Sequence, residues 1–193
     1  MAQSIRVALA AVAVLWCIAL PQRAVASGDA QSIVEIEDGK VAFDVRTNIP
    51  AIRIHGQSSG LAGAALIRSG TEGLVLERLR ASVPVTSLQT GIRLRDDHMR
   101  KYVFTADDGR VPDLQFAAER AACSGSQTRS TCQLSGELTL RGTTRPLVVV
   151  LEVTREGASF RAAGAATVKL STYGIPQPTQ LAVQTADDVQ IHM

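Results

Sequence analysis

Aromatic side chains are scarce here, 4% of 193 residues, which leaves little for stacking platforms under bases or sugars. Charge of one sign is also missing: 20 Lys and Arg stand against 18 Asp and Glu. Nucleic-acid binding draws on an excess of cations to meet phosphates, so no nucleic-acid partner is expected. Cysteine is sparse, 3 residues, and none falls in CxxC or CxxCH spacing. That removes support for a dithiol redox motif and for covalent haem. The Gly-rich nucleotide cradles GxGxxG and GxxxxGK[ST] are absent. Gly56-Gln57-Ser58-Ser59-Gly60 has the letters of GxSxG, but no nucleophile elbow is read there. No catalytic residue is therefore assigned, and the chain is not expected to be an enzyme. The 3 histidines, His55, His98 and His192, have no ligand spacing, so no metal site is expected.

The N-terminus has a pattern of its own. Arg6 precedes the apolar run Val7–Leu20, and Ala24-Val25-Ala26 follows as a small-x-small cleavage site. This reads as a secretory signal peptide over residues 1–26, too short for a typical spanning helix. An uncleaved anchor is the alternative. A lipidated Cys17 would want a small residue before it, where Trp16 stands. Residues 27–193 then form one domain with a single sizeable core. Arg6 and Arg23 account for the net charge of +2, so the remainder is formally neutral. The compartment expected is the periplasm.

Two cysteines remain after the leader, Cys123 and Cys132, flanking the polar loop SGSQTRST between strand-like runs. An even count in an exported chain implies a disulfide across a hairpin. A redox pair or a two-cysteine metal site is the competing reading.

The rest alternates with period two. Val41, Phe43 and Val45 are interleaved with Ala42, Asp44 and Arg46; Ile52 and Ile54 with Arg53 and His55. The same period runs through Leu74 and Leu76, Leu114 and Phe116, Leu134, Leu138 and Leu140, and Val189 and Ile191. Such strands turn one face to an apolar interior and the other to water. His55 and His192 fall on the polar faces. Turn signals stand at Asp38-Gly39, Ser58-Ser59-Gly60, Ser69-Gly70, Arg141-Gly142 and Glu156-Gly157. The result is an all-β chain of about eight strands, a sandwich or an antiparallel barrel. The continuous run Leu147–Leu151 reads as a strand buried on both faces or covered by a helix. The one break is Ser87–Phe104, read as a loop and a short helix with a charged outer face. Asp96 and Asp97 diverge on such a helix and are read as part of that solvated face rather than as an acid–base pair.

The stretch TGIRLRDDHMRK at 90–101 has Phe104 after it, then PDLQF at 112–116 and LSGELTLRGTTRPL at 134–147. With Phe43-Asp44-Val45, the small-residue segment Gly56–Gly63 and Tyr173-Gly174-Ile175, this order resembles the YceI-like family of periplasmic polyisoprenoid-binding proteins. The likeness covers Ser32 to Met193. It implies a lipocalin-like, eight-stranded antiparallel barrel with a short helix between its middle strands. It also implies a hydrophobic pore for a long isoprenoid chain of quinone or polyprenyl type, the only cofactor-like ligand expected. The tail would lie against Phe43, Val45, Ile52, Ile54, Leu74, Leu76, Phe104, Leu114, Phe116, Leu138 and Leu140. Arg95, His98 and Arg100 form a candidate rim for a polar head group, with helix capping and packing as their other reading. Inward-facing alanines among Ala162, Ala163, Ala165 and Ala166 would widen the pore. A homodimer, and transient contact with a membrane or a membrane cytochrome, are the protein-level partners in view. The rival to a lipid carrier is a filled barrel serving as a structural or envelope-stress interaction module.

Overall fold

A computed structural model of the protein describes residues 30–70, 73–180 and 182–193. The expected leader lies outside them. The described residues form eleven strands: β1 (Ala30–Glu35), β2 (Gly39–Thr47), β3 (Arg53–Gly70), β4 (Gly73–Val83), β5 (Leu114–Ala118), β6 (Ala121–Gly125), β7 (Arg129–Leu140), β8 (Thr143–Glu156), β9 (Ser159–Lys169), β10 (Thr179–Gln180) and β11 (Val183–His192). One α-helix, α1 (Arg93–Met99), continues into a wider turn over Arg100–Phe104. It sits between β4 and β5, as expected.

Eight of these strands close into an antiparallel ring in the order β3-β2-β11-β9-β8-β7-β5-β4, with β4 returning to β3. The other three are short. β1 runs beside the second half of β3 while β2 takes the first half. β6 likewise continues the wall begun by β5, between β4 and β7. The 18-residue β3 is thus the longest of the described strands, pairing in succession with β2 and β1. Closure leaves the ring strands no long free edge.

Alternation sets the inner face. Along β7, Ser130, Cys132, Leu134, Leu138 and Leu140 are buried and the residues between them mostly exposed. Two cores result. One is closed and packs Ile67, Leu74, Leu76, Leu134, Val149 and Leu151. The other packs Val83, Val85, Leu88, Phe104, Leu170 and Ile175 at the opposite end, with Phe116 and Leu147 touching both. Arg141 and Gly142 both have positive φ, 55° and 78°, and join directly paired Leu140 and Thr143. This is the two-residue turn whose twist matches the flanking strands. Arg141 also reaches Asp107 at 2.9 Å, tying the turn to the segment after the helix.

Two expectations are overturned. Ser58-Ser59-Gly60 is not a turn but lies inside β3. Its polar atoms are satisfied there: the buried Ser58 hydroxyl meets Ser87 Oγ at 2.6 Å and accepts from the Gly60 amide at 2.9 Å. The small residues serve close backbone approach instead, since a Cβ on Gly63 would fall 2.1 Å from the Arg80 carbonyl oxygen. Nor is Leu147–Leu151 buried on both faces. Val149 and Leu151 point inward, whereas Val148 and Val150 are 48% and 45% exposed, because no element among the described residues covers the outside of β8. Of the alanines, Ala163 and Ala165 face outward, while Ala162 and Ala166 share the inner face, where Ala162 is exposed and Ala166 is buried in the closed core.

Cys123 and Cys132 are bonded across directly paired positions of β6 and β7, and Cys132 is fully buried in the closed core. Closing this short loop removes unfolded-state entropy worth about 2–3 kcal/mol. The double variant Cys123→Ser/Cys132→Ser is expected to lose about that much in urea unfolding, with an m-value no smaller than that of the parent, since the opened loop lets the unfolded chain expose at least as much surface.

Candidate functional site

The second core is not filled. Between it and the ring wall lies a cavity of about 440 Å³, within the ordinary range for small-molecule sites. Inward positions of five strands make its wall: Val41, Phe43 and Val45 from β2, Ile54 from β3, Leu138 and Leu140 from β7, Val168 from β9, and Val189 and Ile191 from β11. Leu114 of β5 joins them. The segment between β4 and β5 forms a second side, with Leu88, Ile92, Leu94, Met99, Val103 and Phe104. The mouth is completed by Ile52 and by Pro178, Thr179, Val183 and Thr185. Asn48 ties these last two parts together: its side chain bonds the Ala182 carbonyl at 3.2 Å and the Gln184 amide at 2.9 Å.

One wall residue depends on a glycine. Phe43 stands opposite Gly56 in the β2–β3 pairing, and its ring lies flat over the glycine. A Cβ there would come within 2.2 Å of Phe43 Cζ. Gly56 therefore decides how far the Phe43 ring stands from the strand, and with it the shape of the cavity.

Polar contacts hold the lid. The Asp96 carboxylate accepts from the Thr90 amide at 2.7 Å and from the Thr90 hydroxyl. Arg95 donates to Thr90 Oγ1 and to the Thr90 carbonyl, each at 2.8 Å. Arg100 donates to the Leu88 carbonyl at 3.2 Å and the Thr86 carbonyl at 3.4 Å, and pairs with Asp97 at 3.3 Å. The motif at 90–101 thus fastens the helix to the chain that leads into it. Asp97 is on the solvated face, but Asp96 is buried, contrary to the reading of both as surface carboxylates. Its burial is compensated by the two donors of Thr90. At the far wall the Asp187 carboxylate takes hydrogen bonds from the Ser171 hydroxyl and amide, at 2.6 and 2.7 Å. Those bonds hold its pKa below the usual carboxylate range and place the turn that carries Leu170. Burial pushes the Tyr173 phenol in the same turn above its ordinary value, with Arg145 opposing.

Eight of the eleven expected tail contacts line the cavity: Phe43, Val45, Ile52, Ile54, Phe104, Leu114, Leu138 and Leu140. Leu74 and Leu76 do not. They face inward at the other end and are consumed by the closed core. Phe116 packs between the two cores, its ring lying over Gly136. Of the rim, Arg95 and His98 border the cavity, whereas Arg100 is spent on backbone carbonyls and stands outside it. His98 also contacts the Tyr102 ring, centroids 4.3 Å apart. The wall from β11 and the apolar residues of the helical segment other than Phe104 were not singled out from the sequence as tail contacts. The alternation of Val189 and Ile191 carried a signal for the first; nothing in a seven-residue helix announced which face it would lay on the ring. His55 and His192 are exposed on the outer wall, both beside Asp44.

Two expectations follow. Gly56→Ala should displace the Phe43 ring and cost roughly 1–3 kcal/mol, read as a lower Tm together with shifted Phe43 ring resonances. Asp96→Ala leaves the Thr90 amide without its partner and should cost about 1–3 kcal/mol, with hydrogen exchange accelerating over residues 88–100 before the rest of the ring.

The YceI-like domain matches residues 34–193 of this chain. A relative, the UPF0312 protein of Pseudomonas savastanoi pv. phaseolicola, is 30% identical over 118 residues, 57% of this chain and 58% of its own length. The chain therefore spans somewhat more than half of the curated relatives it matches. Among solved structures, BcnA of Burkholderia cenocepacia superimposes with a TM-score of 0.61 at 21% identity, covering 79% of this chain and 92% of that one. A polyisoprenoid binding domain from Saccharophagus degradans, implicated in plant cell wall breakdown, gives 0.55 at 15% identity over 84% and 98%. These structural likenesses speak for the fold.

Proposed function

The chain belongs to the YceI-like family, and from that premise we propose that it binds and carries a long-chain isoprenoid lipid of quinone or polyprenyl type, its tail held in the cavity. The observation that carries this reading is the wall itself. Nearly every side chain on it is aliphatic or aromatic, and the few polar ones, Thr90, Arg95, His98, Thr179 and Thr185, are outnumbered. Water gains little in such a space, whereas an apolar chain gains from leaving water. An isoprene unit brings five carbons, each contributing up to about 0.8 kcal/mol on burial. Roughly three or four units offset the several kcal/mol that association costs. Recognition then needs length and apolarity, with few polar anchors, which fits a site without a polar motif. Arg95 and His98 are the groups offered to a polar head, and Arg100 has no part in it. The role is binding rather than catalysis.

The location proposed is the periplasm, reached by cleavage after Ala26. The Cys123–Cys132 bond fits an oxidising compartment. Among the described residues no helix is long and apolar enough to cross a membrane.

Native mass spectrometry of the protein from its own source, followed by solvent extraction, tests the proposal. The expected result is a stoichiometric isoprenoid adduct, depleted in Val189→Phe, which narrows the cavity with an added ring. A bare mass that persists after incubation with ubiquinone and polyprenyl phosphates would overturn it in favour of an interaction module with an unused interior.

A further inference from the structure

The mouth of the cavity has features that enclosing a ligand does not require. Three of its lining residues turn apolar surface to solvent: Leu94 is 68% exposed, Ile92 53% and Ile52 38%. Ile49, also exposed, belongs to the same turn, its carbonyl accepting from the Ile52 amide at 2.9 Å. Such residues clustered at one opening, rather than scattered singly, mark a contact surface.

Cations surround them. Arg93 lies between Ile92 and Leu94. Arg53 follows Ile52 and pairs in register with Arg46 on β2. All three are exposed. Among the described residues none of the three is paired with a carboxylate. Elsewhere on the surface arginines commonly are: Arg78 and Arg80 with Glu119, Arg129 with Glu152, Arg161 with Glu156. The carboxylates nearest along the same elements are already engaged, Asp97 with Arg100 and Asp44 with His55. The mouth thus combines exposed apolar side chains with unneutralised guanidinium groups.

We infer that this end of the ring docks on an anionic phospholipid bilayer, with Ile49, Ile52, Ile92 and Leu94 entering the interface and Arg46, Arg53 and Arg93 meeting lipid phosphates. Apolar side chains with flanking cations are the combination that binds such an interface. Charge complementarity commits the surface to an anionic membrane rather than to a neutral one. For its purpose the inference rests on the lipid-binding reading above: the cavity opens where the apolar residues enter, so an isoprenoid tail passes between bilayer and cavity without crossing water.

Co-sedimentation of the mature protein with phosphatidylcholine vesicles, with and without phosphatidylglycerol, tests it. Binding is expected on the mixed vesicles and should fall with rising salt. Each juxtamembrane arginine near an anionic surface contributes about fivefold. Arg53→Gln/Arg93→Gln should therefore bind at least about tenfold more weakly while retaining its isoprenoid, since neither residue lines the cavity. Leu94→Ser should also bind more weakly at unchanged charge. Equal binding with and without phosphatidylglycerol, or an undiminished double variant, would overturn the inference. A protein that retains isoprenoid in native mass spectra yet ignores both vesicles would overturn the docking surface alone. Arginine-dependent vesicle binding by a protein that holds no isoprenoid would uphold the docking surface and sink the lipid-binding reading.

Discussion

Closure of the sheet through β3 is the constraint on which the rest depends. One 18-residue strand pairs with β2 and β1 along one edge and with β4 along the other. With β4 and β7, it runs through both ends, and the ring encloses two volumes rather than one. At one end the side chains meet and fill the space. At the other the wall residues stand too far apart to meet, and a helical segment, not another strand, lies across the gap. The cavity is the consequence of a ring whose circumference is set by hydrogen bonding and whose interior is only partly filled by side chains.

Glycine and polar pairing adjust that frame locally. Gly56 and Gly136 let the rings of Phe43 and Phe116 lie against backbone. In the first case this shapes the cavity, and in the second it seals the boundary between the two cores. The lid is held by a small set of side-chain to main-chain bonds around Thr90, Asp96, Arg95 and Arg100. A short helix cannot hold itself in place by propensity alone, so these bonds, together with the apolar contacts of Met99, Val103 and Phe104, fix it. The charged motif that dominates the sequence is thus chiefly a fastening, and the apolar residues between its charges form the part of it that faces the cavity.

The pairing of an apolar interior with an apolar, cationic opening gives the two proposals a common physical basis. A ligand insoluble in water is best exchanged where its apolar surroundings are continuous. The exposed Leu94 and Ile92 and the enclosed Leu88 and Phe104 belong to one stretch of chain, so that continuity is built into the lid.

Much of this was legible before the fold was known. Period-two alternation told inside from outside for Phe43, Val45, Leu138, Leu140, Val189 and Ile191, because successive side chains of a strand must point to opposite faces. The turn at Arg141-Gly142 and the bond between Cys123 and Cys132 followed from local chemistry. Alternation failed at Leu147–Leu151, where an apolar run masked a strand with one bare face, and turn chemistry failed at Ser58-Ser59-Gly60, where distant Ser87 satisfied the polar group. What the chain order could not carry was height along the ring. Leu74 and Leu76 face inward just as Leu138 and Leu140 do, yet register places the first pair in the closed core and the second beside the cavity. Sequence by itself determined which residues point inward, since that depends on neighbours one position away. Only the tertiary structure decided which of them meet empty space, and that Asp96 is buried while Asp97 is not, since both depend on partners brought together by closure of the ring.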